Sequence, residues 1–207
     1  MSTKPILFNT EMVRAIMDGR KTCTRRIIKG FIPNDAVWGY TAFTPKGCIS
    51  CRGTFADGYG EKFFKLSYQS GDILYVRETW CKGLERYIYR ADYSDTEKFY
   101  QDGKEINMKW HPSLHMPKEA ARIFLRVTNV RVERLQEISA ESALTEGADK
   151  YVHLNGKFDE NAILTSFIGI WDSTIKKSDL DYYGWSANPW VWVIEFERCE
   201  RGGVDER

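Results

Sequence analysis

The alternation between Arg122 and Leu135 constrains this fold more than any other feature. Ile123, Leu125 and Val127 alternate with Arg122, Phe124, Arg126 and Thr128; Asn129 marks a break or bulge, and Val130 and Val132 resume the period. A period of two held this long specifies a β-strand with two unlike faces. Trp190-Val191-Trp192-Val193-Ile194-Glu195-Phe196-Glu197 is a second such run, and Pro5-Ile6-Leu7-Phe8 a short one. After a turn at Gly71-Asp72, Leu74, Val76 and Glu78 share one face of a strand while Ile73, Tyr75 and Arg77 share the other; residues 87–91 are its expected hairpin partner. Helical spacing is confined to three places. Met12, Val13, Ile16 and Met17 follow a cap at Asn9 or Thr10; a short helix runs from a Ser139 cap to a Gly147 stop; Ile163, Leu164, Phe167, Ile168 and Trp171 mark a longer one. About six or seven strands and two or three helices, without strict alternation, predict an α+β domain with a mixed β-barrel rather than a doubly wound sheet.

Two stretches lose all period. Residues 30–70 mix Gly, Pro, Asn, Asp and scattered aromatics, and residues 92–118 are polar before the proline-bounded Trp110-His111-Pro112-Ser113-Leu114-His115-Met116-Pro117. We read both as insertions in one domain spanning 1–207, the first long and irregular. The hydrophobic content of 43% is that of a globular chain. No apolar run approaches the roughly 18–20 residues that span a membrane. Residues 1–8 lack the apolar core of a signal peptide, so a cytoplasmic protein without membrane contact is expected. Five cysteines, an odd number without a dense framework, fit reduced thiols.

The formal net charge of +1 excludes a global cationic field. Cations concentrate locally instead. Between Arg14 and Lys29 six Lys or Arg face one Asp, and Arg122, Arg126, Arg131 and Arg134 form a second group. The densest stretch is Asp18-Gly19-Arg20-Lys21-Thr22-Cys23-Thr24-Arg25-Arg26. Gly19 falls where a helix end wants positive φ, and an extended strand with almost no apolar residue follows. Such a strand lines a cleft, or it is a solvated edge whose Lys and Arg deter aggregation. Glu146 falls in the last turn of its short helix. A carboxylate there opposes the helix dipole at a cost of a few tenths of a kcal/mol, a placement that suits a proton-exchanging group.

The motif 18–26, the strand opening at Gly71-Asp72, the helix 139–147 and the segment Val193-Ile194-Glu195-Phe196 occur in the order seen in ASCH-domain proteins. The chain therefore resembles members of the PUA-like superfamily, small β-barrels associated with RNA and modified bases. Residues 71–80, 110–117, 122–135 and 190–197 further resemble phage and prophage members with insertions. Some small ASCH proteins remove the acetyl group of N4-acetylcytidine. The resemblance implies that Lys21, Thr24 and Glu146 are the catalytic residues here: Thr24 attacks the acyl carbon, Lys21 takes its proton and Glu146 protonates the departing amine. It implies no cofactor, and a nucleoside or a single-stranded or modified nucleic acid as partner. Arg20, Arg25 and Arg26, with Arg77, Glu78, Trp80, Trp110 and Trp190, are the expected binding residues, the three tryptophans as an aromatic wall. The alternatives are a binding module without chemistry that holds phosphates through Arg20, Arg25 and Arg26, and a metal-dependent nuclease using Asp72, Glu78, Glu195 and Glu197. Cys48 and Cys51, with His111 and His115, have the gaps of a zinc site. Nothing in the sequence brings the two pairs together, so no metal is expected.

Overall fold

The computed structural model describes residues 3–83, 86–101, 103–148 and 159–201. Among them, in chain order, are β1 (Thr3–Leu7), α1 (Thr10–Met17), β2 (Cys23–Ile27), β3 (Val37–Gly39), β4 (Cys48–Phe55), β5 (Gly58–Lys65), β6 (Ile73–Arg77), β7 (Trp80–Lys82), β8 (Tyr87–Tyr89), β9 (Phe99–Gln101), β10 (Lys104–Ile106), β11 (Phe124–Arg134), α2 (Ala140–Thr145), α3 (Glu160–Thr174), α4 (Leu180–Tyr183) and β12 (Trp190–Cys199). The chain is mixed α+β, with several sheets and few helices. It divides into two compact units: residues 1–22, 71–126 and 196–207 form the first, and residues 23–70 and 127–195 the second. β11 and β12 each begin in one unit and end in the other.

In the first unit β1 runs parallel to β6, with Ile6 opposite Val76, and β6 runs antiparallel to the start of β11. Ile6, Leu74 and Val76 are buried, together with Val13 and Ile16 of α1. Each such side chain contributes about 1.5–3 kcal/mol on leaving water. The Asn9 side chain accepts from Met12 N at 2.8 Å and starts α1; Gly19, at φ 74°, ends it. A second cluster joins Ile73, Met116, Ala120, Ala121 and Phe124. β7 pairs with β8, and β9 with β10, as short hairpins. Part of the stretch 92–118 thus pairs as strands where its polarity suggested loop.

In the second unit β2 pairs antiparallel with β12. One side of this pair packs on α2 and α3 through Cys23, Leu135, Ala143, Ile163, Phe167, Trp171 and Val193. Residues 37–65, expected to be irregular, form the antiparallel sheet β3-β4-β5. Its inward positions on β4 are Ile49, Cys51, Gly53 and Phe55. Cysteine and glycine there blur the apolar alternation that marks a strand. Trp38 of β3 anchors this sheet, with ring centroids 5.2 Å from Phe64, 5.7 Å from Trp190 and 6.1 Å from Trp192.

The expected barrel does not close among the described residues. β1 is an edge strand in the first unit, and β2 is an edge strand in the second. Pro5 in β1 has no N–H to offer a further strand, and proline is confined to sheet edges. No helix among the described residues is long and apolar enough to cross a membrane.

Among the described residues, Asn188 is the non-glycine residue with positive φ, at 46°. Its side-chain oxygen accepts from Gln136 N at 2.8 Å and its carbonyl from Arg134 Nη1 at 3.0 Å. Asn188→Ala forces alanine into the left-handed region and removes the side-chain bond, at an expected cost of about 1–3 kcal/mol. Asn188→Gly loses the bond alone and is expected to cost less. Denaturant unfolding of both variants checks this, and equal losses would show that backbone strain is not the cause.

Candidate functional site

Two buried groups of charged side chains stand out, one in each unit. In the first unit, the chain leaves α1 so sharply that the backbone N–H groups of Arg20 and Lys21 both donate to Ala15 O, at 2.9 and 3.0 Å. This turn buries Lys21 to 2% exposure and leaves Arg20 at the surface, 2.7 Å from Asp18. The Lys21 ammonium lies 5.6 Å from the centre of the Phe8 ring, and Phe8 in turn packs 6.1 Å from Phe196.

Glu78, at the end of β6, is 1% exposed. Arg122 grips it with two bonds, Nε to Oε1 at 2.9 Å and Nη2 to Oε2 at 3.0 Å. Arg122 also donates to Asp92 at 2.8 Å, and its guanidinium covers the Tyr89 ring at 3.9 Å. Burial pushes the Glu78 carboxyl above its ordinary value, and Arg122 only partly offsets this. A carboxyl whose value is raised on folding binds its proton more tightly in the folded chain. That stabilisation is therefore complete below the unfolded value and is lost as pH rises through the folded one. Wild type should lose stability relative to Glu78→Gln as pH rises from just above the ordinary carboxylate range toward neutrality. Urea unfolding of both proteins across that range reads the difference, and a difference of opposite slope would overturn the assignment.

In the second unit, β2 carries Cys23, Thr24 and Arg25, all buried. Alternation turns Cys23 and Arg25 toward α2 and α3, and Thr24 and Arg26 to the other face. Arg25 Nη1 donates to Glu146 at 3.2 Å, and Nη2 donates to Glu133 at 3.1 Å and to Ser142 Oγ at 3.0 Å. Its guanidinium lies 6.0 Å from the Phe167 ring centre. Glu133 is bonded in turn to Arg131, which also holds Glu195. The result is an alternating chain of charge: Glu146, Arg25, Glu133, Arg131, Glu195. The N-cap of α2 is Ser139, which accepts from Ser142 N at 3.1 Å, and Glu146 is its C-cap residue. Burial lowers the proton affinity of Arg26, with Tyr68 and Glu146 opposing it.

The sequence-predicted residues are therefore placed as follows. Lys21, Thr24 and Glu146 are 2%, 3% and 8% exposed. Lys21 belongs to the first unit, Thr24 and Glu146 to the second. Arg25, expected on a phosphate, is instead held by carboxylates, the buried Glu146 and the part-buried Glu133. Arg77 donates to Met116 O at 2.7 Å. The second cationic group is no open patch: Arg122 holds Glu78, Arg126 holds Glu197, Arg131 holds Glu195, and Arg134 lies 4.4 Å from the Trp190 ring centre. Trp80 packs on Tyr87 and His111, and Trp110 on Tyr93 and Phe99, in the first unit; Trp190 packs on Trp38 in the second. They belong to three separate aromatic groups.

Ser142, Glu133, Asp92 and Tyr89 were not foreseen. The only signal for Glu133 was its place beside Arg131 in the alternating strand. Asp72 is bonded to Lys4 at 2.6 Å, so each acid of the nuclease alternative has its own cation. Among the described residues no three His, Cys, Asp or Glu gather in a way that could hold a metal ion. Cys48 and Cys51 lie on β4, His111 and His115 in the first unit.

No family model matches the chain, and neither does any curated protein or solved structure.

Proposed function

We propose that the chain is an ASCH-type, PUA-like protein that binds a nucleoside or an exposed base and hydrolyses an N-acyl group from N4 of cytosine. The observation that carries this reading is burial. A solvated edge strand would leave Lys21 in water. Lys21 and Thr24 are buried while Arg20 and Thr22, beside them, are exposed.

In the proposed reaction Thr24 Oγ attacks the acyl carbon as its proton passes to the Glu146 carboxylate. The C–N bond breaks, Glu146 hands that proton on to the departing amine, and water then cleaves the threonine ester. Arg25 orients Glu146 through Nη1. Chromatography of cytidine released from a panel of N4-acylated cytosines tests the reading; a wild-type chain with no turnover on any of them would sink it.

A further inference from the structure

Of the eleven large apolar side chains exposed among the described residues, six fall between Phe31 and Phe63, so they are concentrated rather than scattered. Tyr59 is 74% exposed and Phe63 is 41% exposed. They stand four residues apart on β5, and so share one face at a spacing of about 13 Å. Register completes that face. Arg52 lies opposite Glu61, Ser50 opposite Phe63, and Gly39 beyond Ser50. In the row beside Phe63, Ser50 is buried and Gly39 follows, where a Cβ would meet nothing within 4 Å. Lys65, two positions after Phe63, extends the face. The Glu61 carboxylate is turned onto its own sheet, where it accepts from the Ser50 hydroxyl. Arg52 and Lys65 have no acidic partner among the described residues, whereas Arg25, Arg122, Arg126 and Arg131 are all paired.

We infer that this face of β3-β4-β5 is a stacking platform for single-stranded nucleic acid, with bases on Tyr59 and Phe63 and phosphates on Arg52 and Lys65. The inference rests on the nucleic-acid reading above and names where the strand beyond the reacting base would lie. Exposed rings flanked by unpaired cations match a polymer that offers flat π-faces and negative charge together. A duplex hides its ring faces in the stack. An apolar protein surface would strip water from Arg52 and Lys65 without pairing them, which is costly. An acidic peptide would leave both rings unused.

The test is fluorescence anisotropy of the full chain with a short, labelled, mixed-sequence single-stranded oligonucleotide, as DNA and as RNA. Tyr59→Ala and Phe63→Ala are each expected to weaken binding by about 5- to 150-fold. The Arg52→Ala, Lys65→Ala double variant is expected to flatten the salt slope by about 1.4, or 0.7 for each lost phosphate. Melting temperatures should hold, since all four side chains are exposed. Three results would overturn the platform: no binding by wild type, unchanged affinity in both aromatic variants, or equal binding of the duplex of the same sequence. A wild-type dimer that these substitutions dissociate would overturn it too, making the face a contact between copies of the chain. Turnover of free N4-acetylcytidine reads the hydrolase separately. Absent turnover with platform-dependent binding removes the hydrolase and keeps the platform; turnover with platform-independent binding does the reverse.

Discussion

Arg25→Ala should unfold the protein far more readily than any exposed arginine substitution, lowering the unfolding free energy by about 3–5 kcal/mol. The side chain is 1% exposed and bonded to two carboxylates and a hydroxyl. Removing it takes the guanidinium from two carboxylates at once, one of them Glu146, only 8% exposed. Such a loss is a large share of the 5–15 kcal/mol that holds a typical domain together. Arg25→Lys keeps the charge but lacks the planar fork that reaches Glu146, Glu133 and Ser142 at once, so it should recover only part of the loss. Urea unfolding followed by tryptophan fluorescence measures both. An Arg25→Ala protein as stable as wild type, but weakened in nucleic-acid binding, would restore the phosphate role and refute the structural one.

The second large effect is on chemistry. Thr24→Ala should abolish release of cytidine from N4-acetylcytidine, because no acyl-enzyme can form without the hydroxyl. Thr24→Ser keeps the nucleophile and should retain activity. Glu146→Gln should lower kcat by about 10²- to 10⁴-fold, the usual contribution of a positioned acid or base. Glu146 also accepts from Arg25, so stability must be read on the same sample; Gln keeps an acceptor oxygen at that place. Lost turnover with an unchanged unfolding midpoint assigns Glu146 to the reaction. Full turnover in Thr24→Ala removes it as nucleophile, and an equal collapse of stability and activity in Glu146→Gln assigns that residue to the fold alone.

Local patterns were legible wherever the physics is local. Asn9 and Ser139 each cap a helix by accepting a backbone N–H three residues on, and the glycines at 19 and 147 supply positive φ at the two helix ends. The alternation at 122–135 and 190–197 became β11 and β12, because a period of two sorts side chains without reference to the rest of the chain. That the expected barrel stays open among the described residues was not legible. Whether a sheet closes depends on which strands become edges, and that is set by pairing between distant segments. β3-β4-β5 escaped notice because Cys51 and Gly53 occupy inward positions where Val or Ile would have announced a strand.

Charge was the least legible property. The sequence shows six Lys or Arg between Arg14 and Lys29, and nothing local separates those that meet water from those that meet an acid. Arg25 finds Glu146 121 residues away, and Arg122 finds Glu78 44 residues away. An arginine is equally at home on a phosphate, in solvent or between two carboxylates, so its own identity does not choose. Only the tertiary structure, by bringing acids from distant segments to β2 and β6, made Arg25 and Arg122 internal and left Arg52 and Lys65 uncommitted on the outer face of a sheet.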